Sequence, residues 1–184
     1  MKVLLLSDTH GDYAFWEKLV ENNFWSAELI IHAGDVTYHG PRNDLPPNYA
    51  PKKLIAALND SPVPLIIAAG NCDAYVDQMT LDWPLQSPYV FVYLEGKRII
   101  VNHGHLLDDE EKRDLAKKYK ADFFITGHTH IPVLERTDGI VYINPGSTSI
   151  SKREDKLPTC ALLEDKLVTL LNLQTGAVLE TLSL

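Results

Sequence analysis

The sequence has few cysteines, no Lys/Arg-rich run and no apolar stretch long enough to cross a membrane. Its two cysteines, Cys72 and Cys160, are too few for the disulfide framework of a small secreted domain. No segment approaches the roughly 18 consecutive apolar residues of a membrane-spanning helix, and the apolar run at residues 3–6 is shorter than the core of a secretion signal. These features predict a reduced, cytoplasmic protein with no membrane span.

The charge balance is acidic. The formal net charge is −8, with 17 Lys and Arg against 25 Asp and Glu. Broad binding of nucleic acid or anionic lipid needs a basic surface, so we expect neither partner. An anionic small molecule stays open as a substrate, because bound divalent cations reverse the local charge of an acidic site. The length of 184 residues, without repeats or an evident linker, predicts a single domain over residues 1–184.

Five segments share one pattern, in which a short apolar run is followed by a turn rich in Gly, Asp, Asn or His. The runs cover residues 3–6, 29–31, 65–67, 99–101 and 123–125. Continuous apolar runs of this length suit strands that are buried on both faces. Helices are predicted between them at residues 14–23, 51–59 and 109–119. This alternation predicts an α/β fold with a largely parallel sheet, whose polar turns meet at the carboxyl ends of the strands.

The pattern changes after residue 130. Strands separated by tight turns are predicted at residues 133–136, 140–143, 159–163, 167–173 and 177–182. They predict a second, mostly antiparallel sheet packed on the first. Residues 38–50 contain several prolines and a glycine but few apolar residues, which predicts a long surface loop of the kind that often carries function.

Seven side chains at or just after the five apolar runs can bind divalent metals. Each alone is more often a turn residue or a hydrogen-bonded histidine, but all five segments end in such residues. Their carboxylate, imidazole and amide groups suit Mn, Fe, Zn, Ni or Co. None is a cysteine, so we do not expect a structural zinc site with thiolate ligands. The predicted metal ligands are Asp8, His10, Asp35, Asn71, His103, His128 and His130.

This ordered set resembles the motifs of the calcineurin-like metallophosphoesterases. The motifs that carry the resemblance are Asp8-x-His10, Gly34-Asp35, Gly70-Asn71, His103-Gly104-His105 and Gly127-His128-x-His130. Residues 34–36, 39–43, 70–73 and 144–147 are also similar to small bacterial phosphodiesterases of that family. The resemblance covers nearly the whole chain. It implies a sandwich of two mixed β-sheets flanked by α-helices.

The resemblance also implies two divalent metal ions, with manganese the first expectation and iron, nickel, zinc or cobalt the alternatives. Asp35 would bridge the two ions. A hydroxide held by the ions would attack the phosphorus of a small-molecule phosphodiester. One ion would be held by Asp8, His10 and His130, and the other by Asn71, His103 and His128.

The chain departs from many family members directly after the motif's asparagine, where Cys72 replaces a histidine that can protonate the leaving oxygen. A thiol is a weak hydrogen-bonding acid, so we predict a preference for diesters or stabilised leaving groups. Alternatively, Cys72 only fills space beside the site. The catalytic candidates are Cys72 and His105, although His105 is also a candidate turn cap. The substrate-binding candidates are Arg42, whose fork of donors suits a phosphate oxygen, and His39, Asn71 and His105.

The leading hypothesis is therefore a metal-dependent phosphodiesterase that acts on a small molecule. A nuclease or a phosphomonoesterase would use the same metal chemistry, but the acidic balance counts against a long polymeric substrate. A different class is a non-catalytic interaction scaffold, because a fold alone does not establish activity. A scaffold is free to lose metal ligands, whereas all seven are present here. Aromatic residues in the loops are compatible with a homo-oligomer.

Overall fold

The apolar runs form strands of two β-sheets in a computed structural model, which describes residues 2–22 and 26–184. The first sheet has, in spatial order, β12 (Val178–Ser183), β11 (Leu167–Asn172), β10 (Thr159–Glu164), β1 (Lys2–Leu6), β2 (Leu29–His32), β3 (Leu65–Ala68) and β4 (Leu85–Gln86). The second has β5 (Val90–Leu94), β6 (Lys97–Val101), β7 (Phe123–Ile125), β9 (Ile140–Asn144) and β8 (Val133–Thr137). The helices are α1 (Ala14–Glu21), α2 (Pro51–Asn59), α3 (Tyr75–Gln78) and α4 (Asp109–Lys118).

Both sheets mix parallel and antiparallel strands. In the first sheet β1 pairs parallel with β2 and antiparallel with β10, and in the second β9 pairs parallel with β7 and antiparallel with β8. The predicted sandwich of two mixed sheets flanked by helices is confirmed. The prediction of one parallel sheet and a separate antiparallel sheet is wrong, because the C-terminal strands extend both sheets instead of forming their own.

The layers follow from the burial of each sheet on two faces. Val3 and Leu5 of β1 belong to the core between the sheets, together with apolar residues of β6 and β7. The alternate residues Leu4 and Leu6 pack with side chains of α1 and α2. The outer face of the second sheet packs on α4 through Phe124. These contacts give the order of the layers as helices, sheet, sheet and helix. Burying each such apolar side chain contributes about 1.5–3 kcal/mol to the stability of this arrangement.

The helices begin close to the predicted residues. Asp12 accepts a hydrogen bond from the Ala14 amide at the start of α1, and the predicted end of that helix at residue 23 lies outside the described residues. The helix α2 has the predicted bounds. Asp108 caps α4 by accepting from two amides of its first turn, and α4 ends one residue earlier than predicted. The sequence analysis missed α3, β4 and β5. Among the described helices, none has the length and apolar character that crossing a membrane requires.

The carboxyl ends of the parallel strands bring distant loops to one edge of the sandwich. Asp8, after β1, donates its amide to the carbonyl of Gly34, after β2. Gly127, after β7, donates its amide to the carbonyl of His103, after β6. The two sheets are joined at this edge, because the His128 amide donates to Asp8 Oδ2 at 3.0 Å.

Candidate metal centre

Asp8 lies at the centre of this edge and is fully buried. Its Oδ2 accepts hydrogen bonds from Ser7 Oγ at 2.6 Å and from the His128 amide. Its Oδ1 has no hydrogen-bond donor among the described residues, although His130 Nε2 lies 3.2 Å away and His10 Nε2 3.8 Å away. A buried carboxylate oxygen rarely stays without a partner. This oxygen is therefore placed to bind a cation.

Three histidines present the nitrogen that a metal needs. The Nδ1 atoms of His10, His103 and His130 lie 2.8, 2.7 and 2.6 Å from backbone carbonyl oxygens. A carbonyl only accepts, so Nδ1 of each neutral ring carries the proton and Nε2 keeps its lone pair. The Nε2 atoms of His10 and His130 are only 3.1 Å apart. Two lone pairs at that separation favour a cation between them.

Asp35 lies between the histidines of the two predicted ion sites. Its Oδ2 is 3.3 Å from His103 Nε2 and 3.8 Å from His10 Nε2, while Oδ1 accepts from the Cys72 amide at 2.7 Å. The Asp73 carboxylate holds the backbone in place by accepting from the amides of Asp35, Val36 and Gly70. Asp35 Oδ2 is thus positioned to face both predicted ion sites.

The backbone at the predicted ligands is unusual. Nine described residues other than glycine have a positive φ, and five of them are predicted ligands. A left-handed conformation costs an L-residue about 1–2 kcal/mol, and such conformations concentrate at functional sites. The five ligands with positive φ are Asp8, His10, Asp35, His128 and His130.

The structure brings most of the predicted ligands into direct proximity. The donor atoms of Asp8, His10 and His130 lie within 4.8 Å of one another, and so do those of Asp8, Asp35 and His103. The first group is the predicted set for one ion. The two remaining predicted ligands are on the open side of the site: His128 has its ring centroid 5.2 Å from that of His103, and Asn71 is exposed.

A cleft of about 430 Å³ opens onto this site. Arg42, Asn71 and Cys72 line it, as does Lys152, which the sequence analysis missed. Its lining does not include His39, whose ring packs against those of Tyr38 and Tyr49 at centroid distances of 4.8 and 5.5 Å. It does not include His105 either, whose ring centroid is 5.4 Å from that of His103. Their roles toward a substrate stay predictions.

Cys72 is half-buried against the loop that carries Arg42. A Cβ atom built on Gly40 would lie 3.0 Å from Cys72 Sγ, so the thiol and this glycine pack closely. Burial, and then the charge of Asp35, raise the pKa of the Cys72 thiol to about 12. The thiol is protonated at neutral pH but gives up its proton reluctantly. This favours the space-filling role over the catalytic one.

Metal binding is expected to release a proton from His103. Burial by itself lowers the pKa of His103. The hydrogen bond to Asp35 and the charges of Asp8 and Asp35 have the larger combined effect, and they raise the pKa of His103 to about 9. The ring is therefore protonated below that pH, and a metal binds only the neutral form. Affinity for Mn²⁺ should rise about tenfold per pH unit between about pH 6.5 and about pH 8.5. Calorimetric titrations in buffers of different ionisation enthalpy would count the proton, and a pH-independent affinity would contradict this prediction.

Comparisons with known proteins agree with the geometry. Residues 1–166 match the family model of the calcineurin-like phosphoesterase superfamily domain. The chain is 42% identical over 153 residues to the phosphodiesterase YfcE of Escherichia coli (strain K12), which covers 83% of this chain and 82% of that protein. It is 32% identical over 165 residues to a probable metallophosphoesterase of Mycoplasma pneumoniae, covering 86% of each.

Solved structures show the same fold. The structure of the E. coli phosphoesterase Yfce superposes with a TM-score of 0.87 at 34% identity, covering 100% of this chain and 99% of that one. Vps29 of Entamoeba histolytica, complexed with zinc, superposes with a TM-score of 0.67 at 20% identity over 100% of this chain and 99% of that one, which shows the fold alone. The chain belongs to the calcineurin-like phosphoesterase superfamily.

Proposed function

We propose that this chain is a metal-dependent phosphodiesterase that hydrolyses a small-molecule phosphodiester at a binuclear site. The observation that carries the proposal is the buried Asp8 Oδ1, which has no hydrogen-bond donor among the described residues and faces Nε2 of His10 and His130, two rings whose Nδ1 atoms contact backbone carbonyls. The chain belongs to the calcineurin-like phosphoesterase superfamily, and a relative at 42% identity is named a phosphodiesterase.

The residues fit two divalent ions. Asp8, His10 and His130 would hold one ion, and His103 the other, with Asn71 and His128 completing the second set from the open side. Asp35 would serve both ions through Oδ2, because Oδ1 is already engaged by the Cys72 amide. When bound, two such ions neutralise charge on the phosphate and lower the pKa of water. Manganese is the first expectation.

The chain's own groups would orient the ligands and the substrate. The carbonyls of Tyr38, Ala33 and Ile150 fix the ring orientation of three histidines through Nδ1, and loss of such outer contacts typically costs about 10–100-fold in metal affinity or activity. Arg42 and Asn71 line the cleft and can hold phosphate oxygens. A cytoplasmic location, a single domain and a homo-oligomer stay predictions.

The proposal is tested by turnover of bis(p-nitrophenyl) phosphate. We expect hydrolysis by the manganese-loaded protein, loss of that activity on chelation and recovery when Mn²⁺ is added back. A protein that stays inactive with Mn²⁺, Fe²⁺, Ni²⁺, Zn²⁺ and Co²⁺ would instead support the scaffold hypothesis. The presence of all seven predicted ligand side chains in the sequence, beside an open cleft, counts against that alternative.

Replacing Cys72 with His is expected to shift the substrate preference. A histidine there would add a proton donor of near-neutral pKa, and general acid catalysis typically contributes about 10²–10⁴-fold. We expect turnover of an alkyl phosphomonoester to rise by about tenfold or more relative to an aryl diester. The control is Cys72→Ser, which is of similar size and lacks an imidazole. An unchanged ratio in Cys72→His would leave space filling as the role of the cysteine.

A further inference from the structure

We propose that Lys152 and Arg42 form an anion subsite beside the metal centre, and that the substrate carries a second anionic group, such as a phosphate monoester, which binds there. This inference rests on the proposed function and narrows its substrate class. Both side chains line the cleft that contains His10, Asp35 and His130.

The backbone next to Lys152 is tied to two predicted metal ligands. The Ile150 carbonyl accepts from His130 Nδ1 at 2.6 Å, and the Lys152 amide donates to the His130 carbonyl at 3.1 Å. Ser147 Oγ donates to the Asp8 carbonyl at 2.7 Å and accepts from the Ile150 amide at 2.8 Å. These bonds fix the segment at residues 147–152 against the metal centre, so that Lys152 has a defined place at the edge of the cleft.

Arg42 reaches the same side of the cleft from the loop after β2. The Tyr38 carbonyl accepts from His10 Nδ1, and within the loop Asn43 Nδ2 donates to the His39 carbonyl at 2.7 Å. Arg42 also shares a neighbouring groove with Ser149 and Ile150. The loop and the segment at residues 147–152 are therefore adjacent walls. Both cations line the cleft that also contains His10 and His130.

The charges of the two side chains are not compensated within the described part of the protein. Neither Arg42 nor Lys152 makes an ion pair there, although the chain has a net charge of −8. By contrast Arg153, next in sequence to Lys152, is held by Asp155 through two hydrogen bonds of 2.8 and 2.7 Å. An arginine and a lysine left free at a cleft are typical of sites that bind phosphate or carboxylate.

The charge of the metal centre with both ions bound also favours a substrate with more than one negative charge. Asp8 and Asp35 are the carboxylates among the predicted ligands, so two divalent ions with a bound hydroxide would leave one net positive charge before Arg42 and Lys152 are added. A simple phosphodiester brings one negative charge. The cleft can therefore take a more highly charged substrate, and the second group would lie beside His130.

The cleft has little aromatic surface for stacking, because the rings of His10, His128 and His130 that line it are predicted metal ligands. None of its lining residues, all in the described part of the chain, is Phe, Tyr or Trp. Recognition of nucleobases in single strands relies largely on such stacking. A small hydrophilic diester with an additional anionic group fits this cleft better than an oligonucleotide.

The experiment compares two aryl diesters with the same leaving group. These are p-nitrophenyl 2-methoxyethyl phosphate, which has no free hydroxyl to displace the leaving group, and the analogue in which a phosphate monoester replaces the methoxy group. We expect the phosphorylated diester to have a kcat/KM about tenfold higher at low ionic strength, mainly through KM, with the preference falling as salt screens the charges. Lys152→Ala and Arg42→Ala should each reduce this ratio several-fold. The matched control Lys166→Ala removes a lysine from the exposed turn between β10 and β11 and should keep it.

The outcomes separate the two proposals. Metal-dependent hydrolysis of the methoxyethyl diester supports the proposed function by itself. Suppose that this hydrolysis occurs. The anion subsite is then wrong if the phosphorylated diester has no higher kcat/KM. It is also wrong if the phosphorylated diester keeps the same advantage in Lys152→Ala and Arg42→Ala as in the unchanged protein. A carboxyethyl diester shows whether any anion or a phosphate monoester is preferred.

Discussion

The Asp35→Asn variant is expected to lose about 10³-fold or more in kcat/KM for an aryl phosphodiester. The change is isosteric, so that the new amide oxygen can still accept the 2.7 Å hydrogen bond from the Cys72 amide. What is lost is the negative charge at Oδ2, which lies between His103 and His10. Metal ions contribute several kcal/mol to such reactions, and each 1.36 kcal/mol corresponds to about tenfold in rate.

Metal content and kinetics should be measured together for this variant. The Asp44→Asn variant removes an exposed carboxylate from the loop after β2 and is expected to behave like the unchanged protein. If Asp35→Asn retained two ions per chain and full turnover, Asp35 would not be the shared ligand. Circular dichroism of both variants would show whether the fold is preserved.

The Gly70→Ala variant is expected to be destabilised by about 2–4 kcal/mol and to bind metal poorly. A Cβ atom at Gly70 would overlap Oδ1 and the amide nitrogen of Asp35. The loop after β3 would have to move away from the loop after β2, and the hydrogen bonds from the Gly70 and Asp35 amides to Asp73 would weaken. For a chain of this size the melting temperature should fall by about 5–15 °C.

Gly139→Ala is the control for this effect. Gly139 has a φ of +78° in the turn between β8 and β9, and no atom of the described residues lies within 4 Å of a Cβ built on it. Its substitution should cost about 1 kcal/mol through backbone strain alone and leave metal binding unchanged. Equal melting temperatures and equal metal affinities for the two variants would contradict the close packing at Gly70.

The sequence predicted that five of the candidate ligands would lie close together, because each of them follows a local pattern. An apolar run such as residues 3–6 or 123–125 predicts a strand, and the residue after it is predicted at the strand's carboxyl end. Because neighbouring parallel strands end at one edge, the donor atoms of Asp8, His10, Asp35, His103 and His130 could be expected to meet. The proximity of these atoms agrees with that expectation.

The partition of strands between the sheets could not be predicted in the same way. Residues 159–163 were expected in a separate antiparallel sheet, but β10 pairs with β1 through contacts more than 150 residues apart in sequence. Lys152 follows no apolar run, and its position depends on hydrogen bonds to His130. Strand pairing and contacts of this kind depend on tertiary packing, which periodicity does not encode.

We propose that the seven predicted ligands hold two ions that share Asp35. The most direct test is a titration of the metal-free protein with Mn²⁺, followed by electron paramagnetic resonance and by metal analysis after dialysis. We predict two ions per chain and the spectrum of an exchange-coupled pair, with the coupling lost in Asp35→Asn. One ion per chain, or two uncoupled ions, would contradict this account.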